Sequence, residues 1–149
     1  MQLKITTDYA VKLVLYLAIK KRIATSHELS EALDIPQSMV LKIGKKLHKA
    51  GIVEISTGVY GGFSLQKKDT EITLMDIIKT METTIKINRC LEENEFCNKG
   101  VDSYCTVREI YDKIQRELEK AFTEITIYEI VKKTPLGITS NRRVNEMRA

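Results

Sequence analysis

TSHELSEALDIPQSMVLKIGKKLHKAG, residues 25–51, contains the start and stop signals of two consecutive helices. Thr25 followed three residues later by Glu28 is typical of a helix N-terminus. The apolar positions behind them predict a short helix: Leu29, Ala32 and Leu33. Pro36 suits the first position of a second helix, which Gly51 can end. The inward residues of that helix are Val40, Ile43 and Leu47. Two helices joined by a tight turn form a helix-turn-helix.

A β-hairpin is predicted directly after this motif. Residues 52–56 and 63–65 have β-strand propensity, and three glycines lie between or beside them: Gly58, Gly61 and Gly62. Glycine permits the positive φ angles of a tight hairpin turn. A helix-turn-helix followed by a hairpin is a winged helix. The predicted fold class is therefore mainly α, a winged helix-turn-helix with a small β-hairpin wing and a long C-terminal dimerisation helix.

Two further helices are expected around this core motif. Thr7 is predicted to cap a first helix that begins near Asp8. Its buried face repeats at spacings of three and four: Ala10, Leu13, Val14, Leu17 and Ala18. Thr73 is predicted to cap a fourth helix with an apolar inner face at Leu74, Ile77, Ile78 and Met81.

The longest periodic segment lies towards the C-terminus. Its apolar residues alternate spacings of four and three over about three heptads: Val107, Tyr111, Ile114, Leu118, Ala121, Ile125 and Tyr128. Such a seam predicts one helix that pairs with a second copy in a homodimer. The expected organisation is a winged helix-turn-helix domain, a cysteine loop, a dimerisation helix and a flexible tail: residues 1–82, 83–106, 107–133 and 134–149.

The composition is that of an ordinary globular protein with a mildly basic balance. The 149 residues carry a formal net charge of +4, which permits nucleic-acid binding without requiring it. No apolar run can span a membrane and no signal peptide is recognisable, so we expect a cytoplasmic protein. The sequence has no phosphate loop, no serine–histidine–aspartate grouping and no paired-carboxylate motif. We therefore expect neither an enzyme nor a small-molecule substrate.

The three cysteines of the chain all lie within residues 90–105. Six residues separate Cys90 from Cys97, and seven separate Cys97 from Cys105. Three thiols in one polar loop indicate a shared ligand, and an iron–sulfur cluster fits them best. A zinc site usually has closer cysteine pairs, so zinc is a poorer alternative. Three inert thiols without a metal are the remaining alternative.

Basic and polar residues lie on the outer face of the second helix of the motif. Gln37, Ser38 and Met39 stand in its first turn, where a recognition helix contacts base edges. Three lysines further along suit phosphates: Lys42, Lys45 and Lys46. Tyr60 and Gly61 lie at the wing and are candidates for the adjacent groove. The alternative is a solvated helix surface, but the motif, the wing and a dimer helix together favour double-stranded DNA as partner.

The order of these motifs resembles the winged-helix regulator family that contains IscR and NsrR. The resemblance covers residue 1 to about residue 133. It rests on segments spread along the chain: Asp8-Tyr9-Ala10, Ile35-Pro36, Ala50-Gly51-Ile52-Val53, Gly61-Gly62-Phe63-Ser64-Leu65, Ile72-Thr73-Leu74 and Arg89-Cys90. It implies a dimeric bacterial transcription regulator on a palindromic operator. It also implies a cluster, 2Fe–2S or 4Fe–4S, on Cys90, Cys97 and Cys105.

Two positions differ from IscR-like members of that family. The wing has Thr57 where an arginine commonly precedes the first glycine, and Arg108 stands where those members have a histidine ligand. NsrR-like members instead use an aspartate near the N-terminus of the other protomer, and Asp8 matches that place. The resemblance thus implies Asp8 as fourth ligand. The alternative is an acidic residue in a first helical turn, favoured there by the helix dipole.

The function expected from this resemblance is a repressor whose DNA affinity responds to the cluster. The signal would be nitric oxide, redox state or iron–sulfur status. The rival hypothesis is an iron–sulfur or metal carrier on the same scaffold, without specific DNA binding.

Overall fold

The structure, a computed structural model, describes residues 1–93 and 105–135. Cys97 and most of the predicted tail lie outside these residues. The described chain contains six α-helices and one antiparallel hairpin: α1 (Ile5–Lys20), α2 (Ser26–Leu33), α3 (Gln37–Lys49), β1 (Val53–Ser56), β2 (Gly62–Leu65), α4 (Leu74–Met81), α5 (Thr106–Glu124) and α6 (Ile127–Lys133). This order confirms the predicted fold class. None of the described helices has the length and apolar character to cross a membrane.

The helix-turn-helix forms largely as the sequence predicts. The Thr25 side chain accepts a hydrogen bond from the Glu28 N–H at 3.0 Å and so caps α2. Asp34 ends α2 in the left-handed conformation, with φ of 54°. Pro36 stands immediately before α3 rather than inside it. Gly51 follows α3 with φ of 76°, as expected of a glycine that reverses the chain after a helix.

The wing is attached to the rest of the domain through its second strand. Val53 pairs with Leu65 at one end of the hairpin, and Ser56 pairs with Gly62 at the turn end. Phe63 also exchanges two backbone hydrogen bonds with Ala24, at 2.8 and 2.9 Å. The link between α1 and α2 thus adds a third short segment beside the hairpin, and the wing cannot swing freely.

Gly44 of α3 lies directly against the ring of Phe63. A Cβ built on Gly44 would stand 2.3 Å from Cε1 and 2.6 Å from Cζ of that ring. Both residues are buried. The absence of a side chain at Gly44 therefore sets how closely the wing approaches α3.

The N-terminus of α1 differs from the prediction. The helix begins at Ile5, so Thr7 is inside its first turn and buried rather than at its cap. Lys4 occupies the cap position without a side-chain cap of its own. Thr73, by contrast, caps α4 as predicted, and Asp76 accepts from its backbone N–H at 2.9 Å.

The predicted single helix over residues 107–133 is wrong, because the chain leaves the helix after Glu124. Thr126 accepts from the N–H of Glu129 and starts α6 with a new cap. Ile125 accepts a backbone hydrogen bond from Leu74 at 2.8 Å. Ile127 then enters the core, fully buried, and its N–H donates to Ile72 at 2.9 Å. These tertiary hydrogen bonds override the heptad pattern.

We predict that Gly44→Ala destabilises the fold by about 1–3 kcal/mol, because the new methyl group overpacks against Phe63. Alanine by itself favours a helix over glycine by about 1 kcal/mol. In a Phe63→Leu background, which removes the ring atoms that would clash, the same change should be neutral or stabilising. Urea unfolding of the four proteins in this cycle measures the coupling. An equal cost of Gly44→Ala in both backgrounds would show that the contact is not the constraint.

Candidate DNA interface and cysteine site

The outer face of α3 is exposed and basic, while its inner face is buried. Val40, Ile43, Gly44 and Leu47 form the buried face. The residues of α3 that are predicted to contact DNA are, with one exception, exposed on the other side: Gln37, Ser38, Lys42, Lys45 and Lys46. The arrangement suits base contacts from the first turn and phosphate contacts from the lysines.

Met39 is the exception among these residues. It is half-buried and packs against the core, so less of its side chain is available to DNA. Leu41, which the sequence pattern places on the outer face but which is not among the predicted DNA contacts, is 42% exposed there. An apolar side chain there suits contact with a thymine methyl group. Leu41 does not fall at the spacing of the buried residues of α3, and this offset in the sequence indicates its outward position.

The first turns of α2 and α3 meet at one edge of the domain. The Gln37 side-chain amide donates to the Ser26 hydroxyl at 3.0 Å. His27, the next residue of α2, is exposed. Helix N-termini carry partial positive charge and unpaired N–H groups, which favour phosphate oxygens. This edge is therefore the side of the motif best suited to approach DNA.

The wing tip is the most exposed apolar part of the described chain. Val59 is 93% exposed and Tyr60 is 90% exposed. Gly61 closes the turn by donating its N–H to Gly58 at 3.0 Å, and a Cβ on Gly61 would meet the Ser56 carbonyl oxygen at 2.4 Å. Gly61 thus shapes the tip, while Tyr60 and Val59 are free to enter a groove. Sequence reasoning missed Val59.

A partly buried ionic cluster fixes α2 against the end of α1. The two Glu28 carboxylate oxygens accept from the Arg22 guanidinium at 2.6 and 3.0 Å. The Tyr16 hydroxyl, on α1, donates to the same carboxylate at 2.7 Å. The hydrogen bonds from Arg22 hold the pKa of Glu28 below its ordinary value, despite the opposing effect of burial. Thr25 and Glu28 have the spacing of a capping box, in which the Glu28 carboxylate would accept from the Thr25 N–H, but that carboxylate binds Arg22 and Tyr16 instead.

Cys90 and Cys105 both lie next to α5. Cys90 lies in a short 3-10 turn, Arg89–Leu91, that packs against α5. Cys105 is the residue that precedes α5 at its N-cap position. Both thiols are half-buried and form no disulfide. Within residues 1–93 and 105–135, no three histidine, cysteine or acidic side chains come together as a metal site. Cys97, the third predicted ligand, lies outside those residues.

The segment that leads to Cys90 is clamped by a polar residue of α5. Gln115 is 2% exposed, and its side chain accepts from the Ile87 N–H at 2.8 Å and donates to the Ile85 carbonyl at 3.0 Å. Lys86 pairs with Glu119 of the same helix at 3.0 Å. The inward residue of α5 is thus polar. A search for apolar periodicity could not find it.

Glu82 connects the end of α4 to the start of α1. Its carboxylate accepts from the Lys4 backbone N–H at 2.8 Å and from the Thr7 hydroxyl at 2.5 Å. Burial by itself raises the pKa of Glu82, but these hydrogen bonds outweigh it and lower that pKa below the ordinary value. Glu82 therefore supplies the cap that α1 lacks. A residue so distant in sequence cannot be recognised as a cap from local patterns.

Asp8 lies in the first turn of α1 beside this cap. Its side chain is 55% exposed and pairs with Lys12, one turn further on, at 2.7 Å. An exposed ion pair of this kind contributes roughly 0–1 kcal/mol, so the carboxylate can be withdrawn from it at low cost. The described residues do not place Asp8 in one group with Cys90 and Cys105 of the same chain.

Part of the exposed surface of α5 is apolar. Val107, Ile110 and Ile114 are about half exposed, and Ala121 is exposed as well. Tyr111 and Leu118 are half-buried. Ile125 and Tyr128, the last two residues of the predicted seam, lie beyond the end of α5 and do not continue its face.

A winged helix-turn-helix with an exposed basic helix and a prominent wing defines a class of protein, the DNA-binding transcription regulators. Within that class, the family model of Rrf2, described as an iron-dependent transcriptional regulator, matches residues 3–133. The chain belongs to this family. Membership in a family of regulators also confirms that it is not an enzyme.

Individual relatives agree with this assignment. The chain is 26% identical to the HTH-type transcriptional regulator NsrR of Oceanobacillus iheyensis, over 89% of this chain and 90% of that one. CymR, the global cysteine regulator of B. subtilis, has the same fold, with a TM-score of 0.77 and 20% identity over 91% of this chain and 99% of its own. IscR of T. potens gives a TM-score of 0.70 and 18% identity, over 89% and 88% respectively.

We predict that replacing Lys42 and Lys45 by glutamine weakens binding to duplex DNA and makes it less dependent on salt. The slope of log affinity against log salt concentration should decrease in magnitude by about 0.9 for each phosphate that is no longer neutralised. Fluorescence anisotropy across a salt series measures this slope. The matched control, Lys113→Gln with Lys120→Gln, removes the same charge from α5 and should leave the slope unchanged. A slope that is unaltered in the first variant would remove α3 from the interface.

Proposed function

We propose that the protein is a homodimeric repressor that binds a palindromic operator with an affinity controlled by an iron–sulfur cluster. Cys90, Cys97 and Cys105 would hold the cluster, with Asp8 of the partner subunit as fourth ligand. The observation that carries the proposal is the position of the two described cysteines. Cys105 directly precedes α5, and Cys90 lies in a short turn that packs against the same helix. The segment that leads to Cys90 follows the winged helix-turn-helix domain, residues 1–82, which is here called the reading domain.

The apolar face of α5 supports the homodimer. The helix turns its polar residue Gln115 inward and presents Val107, Ile110 and Ile114 outward. A surface helix usually turns its apolar side away from water, so these three exposed apolar residues indicate a face that needs a partner. A second copy of the same helix would bury this face in an isologous contact. Two copies related by a two-fold axis would then present two α3 helices to the two halves of a palindrome.

The available donors support an iron–sulfur cluster. Cys90 and Cys105 are unbonded thiols, and thiolate is the ligand that iron–sulfur clusters use most. Among residues 1–93 and 105–135, the exposed Asp8 pairs only with Lys12, and a carboxylate is a weaker ligand for iron than a thiolate. Bound at these residues, a cluster would supply a group that nitric oxide, oxidants or iron–sulfur shortage can modify. The family model's description as iron-dependent agrees with this donor set.

Contacts within the chain connect the cysteine segment to the reading domain. Gln115 and Glu119 hold residues 85–87 against α5, and Glu82 holds the end of α4 against α1. A change in the position of Cys90 would therefore act on α5 and on the first turn of α1 together. The equilibrium between two states with different operator affinity can be shifted by a change of only a few kcal/mol in their relative free energy. The carrier hypothesis lacks support, because the family consists of transcription regulators.

We predict that Ile114→Glu dissociates the dimer. A buried, unpaired carboxylate in the seam should weaken self-association at least about a hundredfold. Sedimentation velocity over a concentration series measures the change. Lys113→Glu introduces the same carboxylate at the neighbouring position, away from the seam, and serves as the matched control. Equal sedimentation of both variants and the parent chain would exclude α5 as the interface.

We predict that Asp8→Ala makes the cluster more labile. After anaerobic reconstitution, the absorbance between about 320 and 420 nm should decay at least about tenfold faster in air or with nitric oxide, because one ligand is lost. Glu54→Ala, an exposed carboxylate on the wing, is the control and should decay at the parent rate. If the cluster of Asp8→Ala decays at the parent rate, Asp8 is not a ligand and acts only as an acidic residue in the first turn of α1. A protein without iron and sulfide after reconstitution would contradict the cluster itself.

A further inference from the structure

We infer that a basic cleft on the side of the reading domain away from the wing tip binds a small organic anion with an apolar body. The cleft has a volume of about 520 Å³. That lies in the range of small-molecule sites, roughly 300–1,000 Å³. Three parts of the fold form its walls: the end of α1 with the loop after it, the end of β2 with the loop after it, and α6.

The charges that line the cleft are unbalanced. Four cationic residues line it, Lys21, Arg22, Lys67 and Lys68, against one carboxylate, Asp69. Arg22 is engaged by Glu28, but in the described parts of the chain the ammonium groups of Lys21 and Lys67 have no ion-pair partner. Two unpaired cations that line one cleft favour a carboxylate, sulfonate or phosphate group.

The floor of the same cleft is apolar and carries an aromatic ring. Leu17, Ala18 and Leu65 line it beside Tyr128 of α6. Tyr128 is 42% exposed and is covered on one side by the Lys132 ammonium, 4.7 Å from the ring centre. Apolar walls with a few converging charged groups are typical of sites for small ligands. The ligand would place its anionic group at the lysines and its apolar body against Leu17 and Tyr128.

DNA binding does not account for these cations. Ser56 and Gly62 pair at the tip end of the hairpin, whereas Leu65 pairs with Val53 at the opposite end. Ala24 pairs antiparallel with Phe63, so the chain from Ala24 back to Lys21 runs away from the tip. The cleft therefore lies at the far end of the hairpin from Tyr60, the wing residue proposed for DNA. An occupant would join α1 to α6, which follows the end of α5.

The test uses the full-length, isotope-labelled protein and phenyl phosphate as probe, followed by amide chemical shifts. Saturable shifts should appear at residues 17–23, 64–70 and 128. Inorganic phosphate alone and benzyl alcohol alone should each bind at least about tenfold more weakly. Inorganic phosphate lacks the apolar body, and benzyl alcohol lacks the anionic group. Shifts spread over the whole surface, or confined to α5, would overturn the proposal.

A pair of variants tests the lysines directly. Lys21→Gln with Lys67→Gln should weaken phenyl phosphate binding at least about tenfold. The matched control, Lys113→Gln with Lys120→Gln, should leave it unchanged. Binding to duplex DNA is measured on the same proteins. The proposal is wrong if phenyl phosphate does not bind the parent chain and the Lys21 and Lys67 variant has lost DNA affinity and salt dependence. In that case the cleft is part of the DNA interface.

Discussion

The close approach of α3 to the wing is the contact on which the reading surface depends. Gly44 has no side chain, so the Phe63 ring can lie where a Cβ would otherwise stand. Phe63 is at the same time bonded through its backbone to Ala24. One buried ring thus fixes the wing to α3 and to the entry of α2. Because interiors are closely packed, the exposed face of α3 and Tyr60 keep a fixed relation to each other.

A second set of contacts joins this rigid reading domain to α5. Glu82 caps α1 from the end of α4, and Gln115 binds the backbone of the segment that follows. Both side chains are largely buried, and a buried polar group that loses its partner costs about 1–3 kcal/mol. The segment between Glu82 and Cys90 therefore has a specified path. This is the physical basis on which a change at the cysteines would reach the DNA-binding surface.

Local signals predicted much of this arrangement correctly. Thr25 and Thr73 cap the helices that their sequence context indicated, and Gly51 reverses the chain after α3. These predictions were correct because a capping side chain or a positive φ depends on neighbours only a few residues away. Apolar periodicity likewise identified the buried and exposed faces of α3. The residues of α3 that are proposed to contact DNA were selected from the exposed face that this periodicity indicates.

Sequence patterns were sufficient for the winged helix-turn-helix, its basic face and the presence of all three cysteines within residues 90–105, because each depends on local spacing. Where α1 begins, where α5 ends and which residue of α5 is buried depend instead on tertiary contacts. Glu82 starts α1 from far along the chain, and hydrogen bonds with residues 72–74 end α5 and draw Ile127 into the core. Such partners meet only when the chain has folded. A buried backbone N–H or C=O group must have a hydrogen-bond partner. A partner far away in sequence can therefore end a helix that the heptad pattern would continue.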